Sequence, residues 1–415
     1  MTRPLTRRKV VVTGMGVVCP IGHSVDALIG ALREGKSGIR YMPEWEQIAE
    51  LKGRLGGNVE GLDLKKRYPR KKRRTMGRVA LLATYASEQA VEQAGLTEET
   101  LTGGRLGVAY GTTSPSNQAM EDFCGPLFNH RTMRGLDSTA YLKFMTHTAA
   151  ANLTQFFGVQ GRVIPTNSAC TSAAQAIGYG YEAISTGKQD VMLCGGAEEQ
   201  HYATAVTFDL LMATSVRFND RPEESPRPFD ARRDGLVVAE GAATVVIEAE
   251  EHAKARGATI LAELVGFGTN CDGAHMTANS RKGMAGAIRL ALEDAGLTPG
   301  DVDYVNAHAT ATDVGDIEES HATFDVFERP IAVSSLKGHM GHTLGACGAI
   351  DAIACVRMMQ DGFLAPTLHL EEVDPRCAPL GYVREVTKAS PRTVMSNNFA
   401  FGGVNTSLIF RRPEE

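Results

Sequence analysis

The stretch Thr166-Asn167-Ser168-Ala169-Cys170-Thr171-Ser172-Ala173-Ala174-Gln175-Ala176-Ile177-Gly178 limits the possible folds more than any other part of the chain. It follows a short apolar run, Val163-Ile164, and leads into a helix of small residues that ends near Gly187. Ala173, Ala174, Ala176, Gly178 and Gly180 leave that helix few side chains of its own, so other backbone can pack closely against it. Such a helix belongs inside the protein, covered by further layers. Thr166, Asn167 and Ser168 are turn and N-cap types, which places Cys170 in the first helical turn. Unpaired N–H groups and the positive end of the macrodipole favour a thiolate there. On this stretch alone, a nucleophile and a plain core cysteine near a helix start fit equally well.

The covering layers come from the rest of the chain. Val10–Val18, Leu106–Gly111, Asp190–Gly196 and Glu240–Glu248 read as buried strands. A second half repeats the alternation with strand 259–268, helix 283–295, strand 302–306, a helix near 315–327, strand 331–334 and helix 345–360. Strands from Thr393 to Phe410 close the chain. Helix-period segments alternating with short apolar strands predict an α/β protein with mostly parallel sheets under helices. The halves share a βα plan but no residue-level repeat. Helices are also expected at 24–34 and 77–95, irregular chain at 37–62, and a Pro- and Arg-rich loop at 217–234. Gly14-x-Gly16 lacks the third glycine and the helix of a dinucleotide fingerprint.

Composition narrows the function classes. A chain of 415 residues, 43% hydrophobic and 22% charged, can bury a large core as two domains or one two-part unit. Its net charge of -5 argues against global nucleic-acid binding. The eight cysteines are scattered without a Cys-x-x-Cys pair, a pattern of reduced cytosolic thiols. Residues 1–9 are basic but pass into a strand without a signal-peptide core, and no apolar run approaches the ~20 residues of a membrane span. A cytoplasmic protein is expected. One basic run, Lys65-Lys66-Arg67-Tyr68-Pro69-Arg70-Lys71-Lys72-Arg73-Arg74, interrupts the acidic balance. It suits a solvated loop or a docking surface for an acidic partner.

Three further stretches place polar residues directly after a predicted buried strand, where open α/β sheets present groups to a ligand. They are Asn306–Asp316, with His308; Ser334–Ala346, with Lys337 and His342; and Ser396–Asn405. Two such histidines, a glycine-flanked lysine and a helix-start cysteine together favour a reactive site. A metal centre is the competing use of the histidines, with Asp313 and Asp316 as its available partners.

These four motifs, in this order, resemble the β-ketoacyl-acyl-carrier-protein synthase II type of the thiolase-fold condensing enzymes, over nearly the whole chain. The resemblance implies a five-layered αβαβα fold of two similar halves, 1–257 with Cys170 and 258–415 with His308 and His342. It implies a homodimer, or a heterodimer with a related subunit, that works on acyl carrier protein without metal or organic cofactor. Cys170 would carry the acyl group, and the N–H groups of Cys170 and Phe399 would form the oxyanion hole. His308 and His342 would stabilise the enolate left when malonyl thioester loses CO2, and Lys337 would orient them. Thr310 and Thr312 resemble threonines that contact the pantetheine arm. Phe399 resembles a gate over the acyl pocket, with Gly402 and Gly403 giving its loop mobility. Phe401 and Ser114 complete the expected substrate contacts. Lys65, Lys66, Arg67, Arg70, Lys71, Lys72, Arg73 and Arg74 fall where the family docks its acidic carrier.

The chain departs from the family pattern at Ala309, Ala311 and Asp351, where Gly, Ser and Glu are usual. Gly338-His339 and Thr113-Ser114-Pro115 also differ. These changes leave the mechanism intact and leave fatty-acid elongation and a specialised polyketide or polyene pathway both open. The alternative from another class is a non-catalytic partner subunit resembling a chain-length factor, against which Cys170 argues.

Overall fold

The computed structural model describes residues 7–414; residues 1–6 of the basic stretch 1–9, and residue 415, lie outside the described residues. Val10–Val18 (β1) is buried along its whole length. Its glycines make this possible. A Cβ on Gly14 would lie 2.2 Å from the carbonyl oxygen of Ala90, and one on Gly16 would lie 2.0 Å from that of Ala86. The helix Arg78–Ala94 (α1) therefore sits directly on the strand.

β1 closes a sheet with Leu106–Gly111 (β2), Val163–Pro165 (β3), Val191–Glu198 (β4) and Gly241–Ala249 (β5), in the order β3-β2-β4-β5-β1. A second sheet contains Ala262–Cys271 (β6), Tyr304–Asn306 (β7), Ala332–Ser334 (β8), Gly381–Tyr382 (β9), Thr393–Ala400 (β10) and Val404–Arg411 (β11). Its order is β9-β8-β7-β10-β11-β6, the same plan with one edge strand added. Antiparallel pairing of Val10–Val12 with Ala262–Leu264 joins the two into eleven continuous strands. Each sheet is mixed, which corrects the mostly parallel expectation. β2 and β7 pair in parallel with both neighbours, whereas β5 and β11 run antiparallel to both of theirs. A three-residue turn, Phe401–Gly403, links β10 to β11, and only an antiparallel pair allows so short a connection.

The small-residue helix Ser172–Ser185 (α2) lies between the sheets and is buried at nearly every position. Beside it runs Cys347–Asp361 (α6), equally buried. A Cβ on Gly348 would come 2.7 Å from the backbone nitrogen of Ala174, so the two helices meet almost backbone to backbone. Tyr202–Leu210 (α3) leaves the end of β4, while Arg281–Ala295 (α4) and Asp313–Phe327 (α5) cover the outer face of the second sheet. With α1 outside the first sheet, five layers alternate α, β, α, β, α.

Two local expectations need correction, and a third gains detail. The segment 37–62 is not wholly irregular: Ile39–Tyr41 and Leu55–Gly57 form a small sheet with Val238–Ala239. The loop 217–234 is loop-like but anchored inward, because Arg227, Asp230 and Arg233 are buried in ion pairs with one another and with Asp374. The basic run is two short helical turns, Leu64–Arg67 and Arg70–Arg73, split by Pro69. Among the described residues, no helix is long and apolar enough to cross a membrane.

Candidate active site

Cys170 sits on a 3₁₀ turn, Ala169–Thr171, between β3 and α2, with the α-helix itself beginning at Ser172. Ala169 takes a left-handed conformation (φ 51°), which makes the turn sharp and carries the sulfur toward the second half. The Ser172 side chain holds this turn: its hydroxyl donates to the Ala169 carbonyl and accepts from the Ser168 N–H. Cys170 thus precedes the first helical turn by two residues.

His308 follows β7. Its backbone N–H donates to Glu319 at 2.7 Å, and the Ala309 N–H donates to the other oxygen of the same carboxylate at 2.6 Å. Asp316 does the same for Ala311 and Phe229. Two acids of α5 therefore fix the loop that presents the imidazole. His342 is fixed by its own backbone: its N–H donates to Val237 and its carbonyl accepts from Ala239. Gly341 before it adopts φ 78°, and a Cβ there would lie 2.8 Å from the Val237 oxygen.

The parts converge. His342 Nε2 is 3.0 Å from Cys170 Sγ, and the rings of His308 and His342 meet edge to face with centroids 5.0 Å apart. One ligating atom each from Cys170, His308 and His342 falls within 4.8 Å of the others. Asp313 and Asp316, the expected partners of a metal reading, are not in this group. Lys337, buried, donates to Asp351 at 3.1 Å. Asn398 bridges them, with its amide 3.3 Å from Asp351 and 3.5 Å from His308 Nδ1.

Burial dominates the electrostatics. It pushes the Cys170 thiol up to about 12, opposed by the nearby Lys337 ammonium. This corrects the expectation of a thiolate: here desolvation outweighs the helix N-terminus. Burial, reinforced by the Lys337 charge, holds His308 and His342 well below the usual imidazole range. Burial lowers Lys337 most, but the Asp351 carboxylate together with Cys347 and Glu319 outweighs it and leaves the ammonium raised. Two neutral imidazoles beside one fixed ammonium result.

A cavity of about 380 Å³ connects this group to the surface, lined by Cys170, His308, His342, Thr310, Thr312, Phe399 and Phe401 among others. The Thr310 and Thr312 hydroxyls are 3.3 Å apart, and Phe401 stacks on Phe208. Ser114 does not line this cavity. Its hydroxyl turns to Asn117, and its N–H to Glu198. His339 is also absent from the cavity, buried with its two ring nitrogens 3.1 and 3.0 Å from the carbonyl oxygens of Lys36 and Pro366. The basic side chains of the run are exposed except for half-buried Arg73, and Tyr68 between them is buried. Lys66 pairs with Asp63 and Arg67 with Glu88, whereas Lys65, Arg70, Lys71 and Arg74 carry no ion pair among the described residues.

Sequence reasoning missed Glu198, Glu319, Asn398 and Cys347. Glu198 is buried and accepts from the N–H groups of Thr113, Ser114 and Gly345, tying the loop after β2 to the turn before α6. Cys347 touches the Cys170 carbonyl at 3.3 Å. Two signals were available: Glu198 is an acid at the end of an otherwise apolar strand, and Asn398 lies in the polar stretch Ser396–Asn405.

Comparison with known proteins places these features. The family model for the β-ketoacyl synthase N-terminal domain matches residues 7–253, and that for the C-terminal domain matches residues 261–371. The 3-oxoacyl-[acyl-carrier-protein] synthase 1 of Haemophilus influenzae is 38% identical over 409 residues, covering 98% of this chain and 99% of that one. A β-ketoacyl synthase structure from Burkholderia phymatum is similar at TM-score 0.95 and 51% identity, covering 98% of this chain and all of that one. The ketosynthase of a type II PKS, solved with its acyl-carrier protein as AntDE:AntF, matches at TM-score 0.90 and 30% identity over 98% of this chain and 100% of that chain. The thiolase-like fold, the two-part match and the buried sulfur between two imidazoles agree: the chain belongs to the β-ketoacyl synthase family.

Proposed function

We propose that the chain catalyses decarboxylative Claisen condensation of an acyl group held on Cys170 with malonyl-acyl-carrier-protein. The observation that supports it is the meeting of Cys170, His308 and His342 at the buried end of one cavity. In the first step the Cys170 sulfur attacks the acyl thioester, and His342, at 3.0 Å, takes the thiol proton. The N–H groups of Cys170 and Phe399 receive the developing oxyanion. The carrier thiol leaves with a proton, and the acyl group remains on sulfur.

In the second step the malonyl thioester carbonyl lies between the two imidazoles. Loss of CO2 puts charge on that oxygen, and neutral imidazole N–H groups stabilise it by hydrogen bonding. Being neutral, they are weak acids and do not quench the enolate carbon. That carbon then attacks the acyl-Cys170 carbonyl, and the thiolate departs. Lys337 keeps the field positive, with Asp351 and Asn398 holding it in place. Thr310 and Thr312 bind the pantetheine arm, with Phe399 and Phe401 as the apolar wall. Ser114 shapes the acyl side only through Glu198.

The eight cysteines are free, which supports a reduced, cytoplasmic setting. A dimer, with a second copy or a related subunit, is supported by the edge strand β3, whose outer side is unpaired among the described residues and whose Val163 is exposed. The exposed run of residues 65–74 docks the acidic carrier. Mass spectrometry of Cys170 after incubation with acyl carrier-protein thioesters tests the reading, together with CO2 release from malonyl carrier. An unmodified Cys170 or absent CO2 release would refute it.

A further inference from the structure

The buried end of the cavity has a second chemical capacity, which needs no step of the condensation just described. One ligating atom each from Cys170, His308 and His342 lies within 4.8 Å of the other two, and His342 Nε2 is 3.0 Å from the sulfur. A tetrahedral zinc ion with bonds of about 2.0–2.3 Å holds its ligands about 3.3–3.8 Å apart. Closing the widest gap therefore takes a movement of about 1 Å, within the reach of small side-chain rotations. The two rings stand nearly perpendicular, at 83°, so both can aim a nitrogen at one point without stacking. One sulfur with two imidazoles is a donor set for zinc, whereas magnesium and calcium take oxygen ligands.

An ion also has a way in. The cavity leads from the surface to this group, and its lining holds three acids, Asp234, Asp313 and Glu319, but no lysine or arginine. A hydrated cation meets no like charge along that wall. Lys337 stands behind the site, and Asp351, at 3.1 Å, offsets part of its charge.

We propose that Cys170, His308 and His342 form an inhibitory zinc site, with a water as the fourth ligand. The Cys170 thiol proton passes to solvent as the Zn–S bond forms. Each imidazole binds through one nitrogen and keeps its proton on the other. The ion is a reversible occupant rather than a resident cofactor, for two reasons. His342 Nδ1 is buried with no hydrogen-bond partner among the described residues, whereas a resident zinc site gives the second nitrogen of a ligating histidine an acceptor. The Lys337 ammonium behind the ligands also opposes a second cation. Zinc and the acyl group then compete for the same sulfur, so free zinc sets how much of the enzyme can be loaded.

The test titrates the full-length enzyme with zinc sulfate, with magnesium chloride as the control. One equivalent of zinc should bind with a dissociation constant of about 1 μM. It should raise the KM for the acyl thioester and leave kcat unchanged. Cobalt in place of zinc should give a sulfur-to-metal charge-transfer band. Capping Cys170 with iodoacetamide, or Cys170→Ala, should weaken zinc binding by about a hundredfold and abolish that band. The capped wild type decides the matter if the variant does not fold. Unchanged affinity in the capped enzyme, a cobalt complex without the sulfur band, or an unaltered KM with zinc bound would each overturn the site. An equal rise in KM with magnesium would do the same. Wild type that binds one zinc at Cys170 yet releases no CO2 from malonyl carrier supports the zinc site and overturns the condensing reading alone.

Discussion

His342 Nε2 lies 3.0 Å from the sulfur of Cys170, in a pocket where burial disfavours charge on either partner. The resting pair is therefore thiol and neutral imidazole, and the thiolate forms as His342 takes the proton. Alkylation of Cys170 by iodoacetamide, followed by peptide mass spectrometry, should accelerate without a plateau between about pH 6 and 9. His342→Ala should slow it at neutral pH by about a hundredfold. A plateau at neutral pH would show a preformed thiolate.

The Lys337–Asp351 pair is buried, and its energetics are asymmetric. Lys337→Met strands a buried carboxylate and should cost about 3–5 kcal/mol in urea unfolding. Lys337→Met/Asp351→Leu removes both charges and should recover most of that stability. Decarboxylation should stay low in both, because the field beside the imidazoles is gone. Recovery of CO2 release in the double variant would assign Lys337 a structural role only.

Glu319 gives a pH signature. Burial raises it from 4.5 to about 8, partly offset by the His308 N–H. The folded state then holds its proton between those values, so stability is full at low pH and lost as pH rises through about 8. His308 and His342, held below 6.5, act the other way and remove stability as pH falls below that value. The urea midpoint of wild type should therefore fall as pH rises from about 4.5 to about 8, most cleanly above 6.5 where the histidines no longer oppose it, and Glu319→Gln should flatten that fall. An unchanged slope in that window would mean Glu319 is ionised in the folded protein.

The reactive residues were legible because each stands in a polar stretch directly after an apolar strand, a contrast visible in one dimension. Cys170, His308, Lys337 and His342 share this pattern. Asn398 lies in such a stretch too, but what the supports hold cannot be read there. Glu198 acts on Gly345 and Thr113, and Asn398 acts on Asp351, pairings that exist only once both halves are stacked. The mixed pairing of the sheets was likewise beyond reach, since a buried strand has the same apolar run whichever way its neighbour points.

The repeat that could not be seen by residue matching reappears as a packing device. Gly266 and Gly268 in β6 meet the carbonyl oxygens of Ala291 and Ala287 in α4, as Gly14 and Gly16 in β1 meet those of Ala90 and Ala86 in α1. What recurs is a glycine pair on the first strand of each half, admitting the outer helix. Gly268→Ala would put a methyl 2.1 Å from the Ala287 oxygen, and neither strand nor helix backbone can yield alone. A loss of about 1–3 kcal/mol is expected from such overpacking, measured as a lower urea midpoint. Gly30→Ala is the control: it lies in the helix Val25–Arg33 with open space around it, and should gain about 0.5–1 kcal/mol. Because α4 carries Met284 into the cavity lining, Gly268→Ala should also lower kcat, which Gly30→Ala should not. A stable, fully active Gly268→Ala enzyme would show that α4 can lift from β6 without moving the site.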